Sequence, residues 1–227
     1  MTIDFLVTGK VKFSMIDYVK NMLEGLPDDM SGDSITPADD HLFTVNPDAE
    51  QLNTAEAKLY HHYTAKLLFL CKRAHPDIQT AVAFLCTRVQ HPDYKKLGRV
   101  MQYLRATLDM PLILEADNVH IIKWWGDASY AVHPDMGSHT GGGLTLGWGI
   151  IYATLTRQIL NTQSSTEAEL VGVNDLMPQV LWTRYFLEAQ GFNISDSIVF
   201  QDTQSAILLE KNGRASSSKR RRHINVR

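Results

Sequence analysis

Three acids far apart in the chain, Asp127, Glu169 and Asp202, are the residues best placed to do chemistry. The first closes the run IIKWWGD and the last closes SIVFQD. Strand alternation puts Asp127 on the side of Ile121 and Trp125, and Asp202 on the side of Ile198 and Phe200. An isolated aspartate at a strand end is commonly a turn or capping residue, but two apolar faces ending in a carboxylate suggest a shared purpose. Glu169 lies in SSTEAELVGV, two residues after Glu167. Residues two apart on a helix point in nearly opposite directions, so one of the pair can enter a site. Glu169 stacks with Val173, Leu176 and Val180, the face a helix turns toward a sheet. Glu167 stacks with Val171, Asn174 and Pro178, and so faces solvent or, three residues after Ser164, serves a capping box. Clustered carboxylates repel unless cations neutralise them. Hard oxygen ligands suit magnesium or manganese, and two such ions roughly 4 Å apart support phosphodiester hydrolysis.

The elements that must position these acids divide the chain into two compositional halves, 1–110 and 111–227. The first opens with a hairpin turning near Thr8-Gly9, then a helix capped by Ser14 and closed near Gly25 and Pro27. A proline- and aspartate-rich loop covers 27–53. Helical patterns follow at 54–73, 76–89 and 92–108, with Leu59, Tyr63, Leu67 and Leu70 on one face of the first. From residue 111 the periodicity changes. PLILEADNVHIIKWWGDASY reads as two strands broken at Asp117-Asn118, and GGGLTLGWGIIYATLTRQ as a glycine-rich hairpin. Residues 164–190 form the longest helix, SDSIVFQD a strand, and TQSAILLEKNG a short helix. The second half is thus β-β-β-α-β-α, an α/β arrangement with helices packed on a mixed sheet.

Composition sets the outer bounds. A chain of 227 residues, 44% hydrophobic and 21% charged, is ordinary for a globular protein. Its net charge of −3 excludes an all-over basic nucleic-acid binder. The charge is unevenly placed: residues 214–227 hold six Lys/Arg and no acid, leaving 16 Lys/Arg against 25 Asp/Glu elsewhere. Cys71 and Cys86 sit in apolar helical stretches and read as reduced intracellular thiols. The first ten residues lack the pattern of a signal peptide, and no apolar run reaches the ~18 residues of a membrane span.

The order of elements, with acids on the first strand, the first helix and the fourth strand of the second half, matches the ribonuclease H fold. GDASYAVHPDMGSHTGG, TRQILNTQSSTEAELVGV, QVLWTRYFLEAQGF and QDTQSAILLEKNGRASSSKRRRHINVR closely resemble the ribonuclease H end of copia-type LTR-retrotransposon polyproteins. That family's pattern runs D-A-S/D, S-S-T-E-A-E, D-N-Q-S-A and K-H-I-D/N. Upstream, LYHHYTAKLLFLCKRAHPDIQTAVAFLCTRV and YKKLGRVMQYLRATLDMPLIL resemble the thumb and connection of its reverse transcriptase, and TGKVKFSMIDYVKNML the end of its palm. The resemblance implies a ribonuclease H-like domain over 111–227, shortened at its C-terminus, after a mainly helical segment over 1–110.

Asp127, Glu169 and Asp202 match the family's catalytic, metal-binding acids, which implies two Mg2+ (or Mn2+) ions. The implied activity is endonucleolytic hydrolysis of RNA in an RNA–DNA hybrid, by in-line attack of water that leaves 5′-phosphate and 3′-hydroxyl ends. The implied partners are the hybrid, read by shape and 2′-hydroxyls, and the remainder of the reverse transcriptase polyprotein, in a cytoplasmic particle or the nucleus and without a membrane. Asn225 departs from the family's acid at the fourth position, so the alternative is a catalytically inactive nucleic-acid-binding remnant. The adjacent acids of a polymerase centre are not legible here, because Asp28-Asp29 and Asp39-Asp40 lie beside prolines in a loop. The resemblance places the catalytic palm upstream of Met1.

Other residues carry two readings. Lys219, Arg220, Arg221 and Arg222 track a phosphate backbone or form a solvated charge run, and His223 assists product release or is solvated. Trp124 and Trp125 read as core and edge packing. His61, His62, His133 and His139 have no cysteine partners at zinc spacing and read as surface or loop residues. Ser138, Thr140 and glycines 141–143 read as a hairpin turn. Lys72 and Arg73 either touch nucleic acid or complement a helix C-terminus.

Overall fold

A computed structural model describes residues 1–7, 9–46, 48, 50–88, 94–133 and 135–212. It is a mixed α/β structure of two four-stranded sheets and six α-helices. The chain forms two compact units, one of Met1–Asp117 with Thr145–Leu155, the other of Asn118–Leu144 with Thr156–Arg227.

In the first unit, β1 (Thr2–Phe5) and β2 (Lys10–Ser14) make the expected hairpin. Its sheet continues through β3 (Leu112–Ala116) and later β6 (Gly147–Trp148), every neighbour antiparallel. The helix after the hairpin, α1 (Ile16–Leu23), has Met15 at its N-cap rather than Ser14. Ser14 is drawn instead into the ladder, opposite Thr2. Next, α2 (Thr54–Cys71) starts with a full capping box of Asn53 and Glu56. The 76–89 pattern divides into a 3-10 turn at Pro76–Ile78 and α3 (Gln79–Thr87), and α4 is Tyr94–Ala106. Leu67, Leu70, Ile78, Phe84, Leu85, Leu97, Met101 and Leu104 are fully buried between these helices. Tyr60 Oη, buried among them, donates to Leu85 O at 3.1 Å.

The division of the chain differs from a boundary at 110/111. β3 goes with the first unit because its backbone bonds to β2, and β6 goes with it because it bonds to β3. Besides β3 and β6, the second half of the chain forms β4 (Ile121–Ser129), β5 (His139–Thr145), β7 (Tyr152–Arg157), α5 (Ser165–Ala189), β8 (Asp196–Phe200) and α6 (Gln204–Asn212), with Thr145 and Tyr152–Leu155 falling in the first unit. The second sheet runs β7-β5-β4-β8, with β4 and β8 parallel. Glycines 141–143, expected in a turn, lie inside β5. Thr140 beside them is held by side chains: its Oγ1 donates to Asp175 Oδ2 at 2.9 Å and accepts from Gln158 Nε2 at 3.1 Å.

Where α5 crosses β4, each element has a glycine facing a side chain of the other. A Cβ on Gly126 would sit 3.1 Å from Leu176 Cδ1, and one on Gly172 would sit 3.4 Å from Ala128 Cβ. The helix therefore lies close to the strand. Gly126→Val is expected to force the two apart and to destabilise by about 1–3 kcal/mol, the usual range for overpacking. Denaturant unfolding measures this, and an unchanged midpoint would show that the contact does not set the helix position.

Candidate metal centre

The β4–β8 register pairs residues 75 apart, from Ile121 with Asp196 to Trp125 with Phe200. Continued by two residues, the same offset sets Asp127 opposite Asp202, which lies just beyond β8. Glu169 comes from the second turn of α5. The three carboxylates offer oxygens that all lie within 4.8 Å of one another. Glu169 is buried at 5% exposure, while Asp127 and Asp202 are exposed. All three acids expected from the sequence thus come together.

Their surroundings correct one expectation. The buried face of β4 is that of Ile122 and Trp124, at 0% and 1% exposure, while Trp125 on the acid's side is 52% exposed. Trp125 stacks on Phe200 with ring centroids 4.4 Å apart. The apolar residues that share a side with the acids thus form an open face. Asp127 and Glu169 approach from opposite sides of the strand and meet at its end.

Each acid is held differently. Glu169 accepts from Gln201 Nε2 at 3.1 Å and from the Ala128 amide. Asp202 Oδ1 accepts from Thr203 Oγ1 at 3.2 Å. Burial pushes the Glu169 carboxyl above the usual glutamate range, and the charges of Asp127 and Asp202 push the same way, against the bonds from Gln201 and Ala128. Gln201 had no motif to reveal it. Strand parity does: Val199 lies on the side of β8 that faces Gly126 and α5, and Gln201 continues that side. Glu167 serves the helix start and is buried rather than solvated. Its Oε2 accepts from the Gln163 amide at 2.8 Å, while Ser164 Oγ accepts from the Glu167 amide at 3.3 Å.

The remaining expectations separate. Trp124 is core and Trp125 packs on the neighbouring strand, as read. Arg73 donates to Phe69 O at 3.1 Å, which satisfies a carbonyl at the end of α2, and Lys72 donates to Ala153 O at 2.7 Å. His139 is buried at 2% exposure rather than on the surface, and burial, with the nearby positive groups of His133 and Arg157, pushes it down to about 4. Asp28 and Asp29 lie in a 3-10 turn, and Asp39 and Asp40 in irregular chain. Lys219, Arg220, Arg221, Arg222, His223 and Asn225 fall outside the described residues.

Comparison with known proteins gives one informative similarity. The chain is 28% identical over 172 residues to the retrovirus-related Pol polyprotein from transposon TNT 1-94 of Nicotiana tabacum, a match covering 74% of this chain. The similarity supports a retrotransposon-derived protein. The matched part spans 13% of that polyprotein's length. No family model matches the chain, and no solved structure does. Among the described residues, no helix is long and apolar enough to cross a membrane.

An all-oxygen, trianionic donor set fits a hard divalent cation. Mn2+ or Mg2+ is expected to raise the thermal midpoint of the wild type by mass action, with the gain lost in Asp127→Asn. Calorimetry with and without chelator measures this, and an equal gain in the variant would place the ion elsewhere. Without metal, the raised Glu169 carboxyl means that the fold retains a proton the unfolded chain has already released. Stability should therefore fall as pH rises above the ordinary glutamate value of 4.5. Glu169→Gln should flatten that slope in pH-dependent unfolding, and an unaltered slope would contradict the raised value.

Proposed function

We propose that the second unit is a ribonuclease H-like nuclease domain, which hydrolyses the RNA strand of an RNA–DNA hybrid with divalent metal. The observation that carries this reading is the convergence of Asp127, Glu169 and Asp202 from two neighbouring parallel strands and the helix crossing them. The parallel pairing of β4 with β8 and the similarity to a transposon Pol polyprotein support it.

Asp127, Glu169 and Asp202 would hold Mg2+ or Mn2+, two ions by the resemblance. Bound there, the ions would supply a water of lowered pKa and positive charge beside the leaving oxygen. The residues of this chain do the positioning. Asp127 and Asp202, both exposed, present carboxylates on the side a polyanionic substrate can reach. Glu169, buried and held by Gln201 and Ala128, fixes the inner wall of the site and cannot swing away. The excess of negative charge in the triad deters a phosphate backbone until cations reverse it, so binding and metal loading are coupled. Recognition of the hybrid rests on its shape and 2′-hydroxyls. The remainder of a polyprotein is the natural structural partner.

The test is a labelled RNA–DNA hybrid with Mg2+ or Mn2+, against chelator. Metal-dependent cutting of the RNA strand is expected, with Asp127→Ala and Asp202→Ala each lowering the rate by at least ~10²-fold, the scale of losing one group that stabilises transition-state charge. Circular dichroism verifies that both variants fold. Cutting retained in either variant would sink the site assignment. A folded wild type that binds hybrid without cutting it would leave the inactive remnant.

A further inference from the structure

The outward face of α2 and of the turn after it carries charge of one sign. Residues 57–74 hold four Lys/Arg, two His and no acid, in a chain whose net charge is −3. Lys58, His61, His62, Phe69 and Arg73 are exposed and Lys66 is half-buried, while Tyr60, Tyr63, Leu67 and Leu70 turn inward. A rise of 1.5 Å per residue spreads the stripe over roughly 22 Å. Among the described residues no carboxylate pairs with Lys58 or Lys66. Glu56, the acid just before the stripe, is engaged by the Asn53 amide at 3.0 Å.

Aromatic rings are set into this basic surface. Between α1 and α2 runs an open groove, floored by Tyr18 and Phe69 and edged by Lys58, His61, His62 and Lys66. The two floor rings stand 5.4 Å apart, centre to centre, tilted at 35°. Tyr18 Oη donates to Lys66 O at 3.2 Å, which ties α1 to α2 and fixes the floor. The Arg73 guanidinium lies over the Phe69 ring at 3.6 Å and donates to Phe69 O at 3.1 Å. Phe69 still keeps 43% of its surface open.

We infer that this groove binds a single-stranded nucleic acid. Cations spaced along one helix face track a phosphate backbone, and aromatic planes between them stack unpaired bases. A duplex hides its base faces in its own stack and leaves Tyr18 and Phe69 without a role, and an acidic peptide engages the cations alone. Lys58, His61, His62 and Lys66 donate to the phosphates. A base stacks on the guanidinium plane of Arg73, which Phe69 backs. The groove lies wholly in the first unit, so the inference is independent of the nuclease reading.

The experiment follows the fluorescence anisotropy of labelled oligothymidylate and oligouridylate on the full chain, with chelator present so that no ion bridges the strand to the carboxylates. Binding of at least one is expected. K58Q/K66Q should weaken it at least tenfold and lower the slope of log affinity against log salt by about 1.4, or about 0.7 per lost charge on a single strand. F69L should weaken it severalfold with the slope unchanged, because it removes a ring and no charge. Circular dichroism checks the fold, and should one variant not fold, the other decides. No binding by the wild type, or affinity unaltered by either variant, would overturn the inference. Affinity kept in K58Q/K66Q but lost in R220Q/R221Q/R222Q would assign the strand to the C-terminal tail and overturn it equally. So would an RNA–DNA hybrid or polyglutamate that binds as tightly through Lys58 and Lys66, since the stripe would then take anions of any shape.

Discussion

At the crossing of α5 and β4, a glycine on each element leaves room for a side chain of the other, Gly126 for Leu176 and Gly172 for Ala128. The acidic centre depends on that close approach. A carboxylate on a helix seated higher would stand away from the strand end, and Glu169 could not share a site with Asp127. The approach also makes the helix start a crowded place. Ser164, Glu167 and Gln163 bind one another there, and Gln158 Nε2 reaches Ala168 O at 2.8 Å. Polar groups buried so near the axis need these bonds, since an unpaired buried donor costs of the order of 1–3 kcal/mol. The supports therefore fix the height and rotation of α5.

Electrostatics works against the same arrangement. Three carboxylates within 4.8 Å of one another raise the cost of ionising the most buried one.

Much of the centre was legible in the amino-acid sequence because it follows from periodicity. Helix stacking picked Glu169 over Glu167, and strand alternation put acids at corresponding ends of β4 and β8. What the pattern concealed was which face of β4 is buried. Ile121-Ile122 and Trp124-Trp125 are apolar doublets, so either parity gives a plausible core face. Packing against α5 decided for Ile122 and Trp124. Long-range pairing was equally hidden. Nothing local in LILEA or in Gly147-Trp148 announces β2 as the eventual neighbour of the first and β3 of the second. The glycine run 141–143 misled for the opposite reason, because ladder bonds and the Thr140 contacts outweighed its turn propensity.

The path of the chain between the two units carries a further consequence. It passes from one to the other after Asp117, returns at Thr145 and leaves again after Leu155. Neither unit is therefore an uninterrupted stretch of gene. A single breakpoint, whether made by a protease or by recombination, cannot release one intact. A piece beginning at Asn118 would carry Gly147–Trp148 without the strand that satisfies its backbone, and a piece ending at Asp117 would leave that edge of β3 unpaired. Both units are preserved only when they travel together.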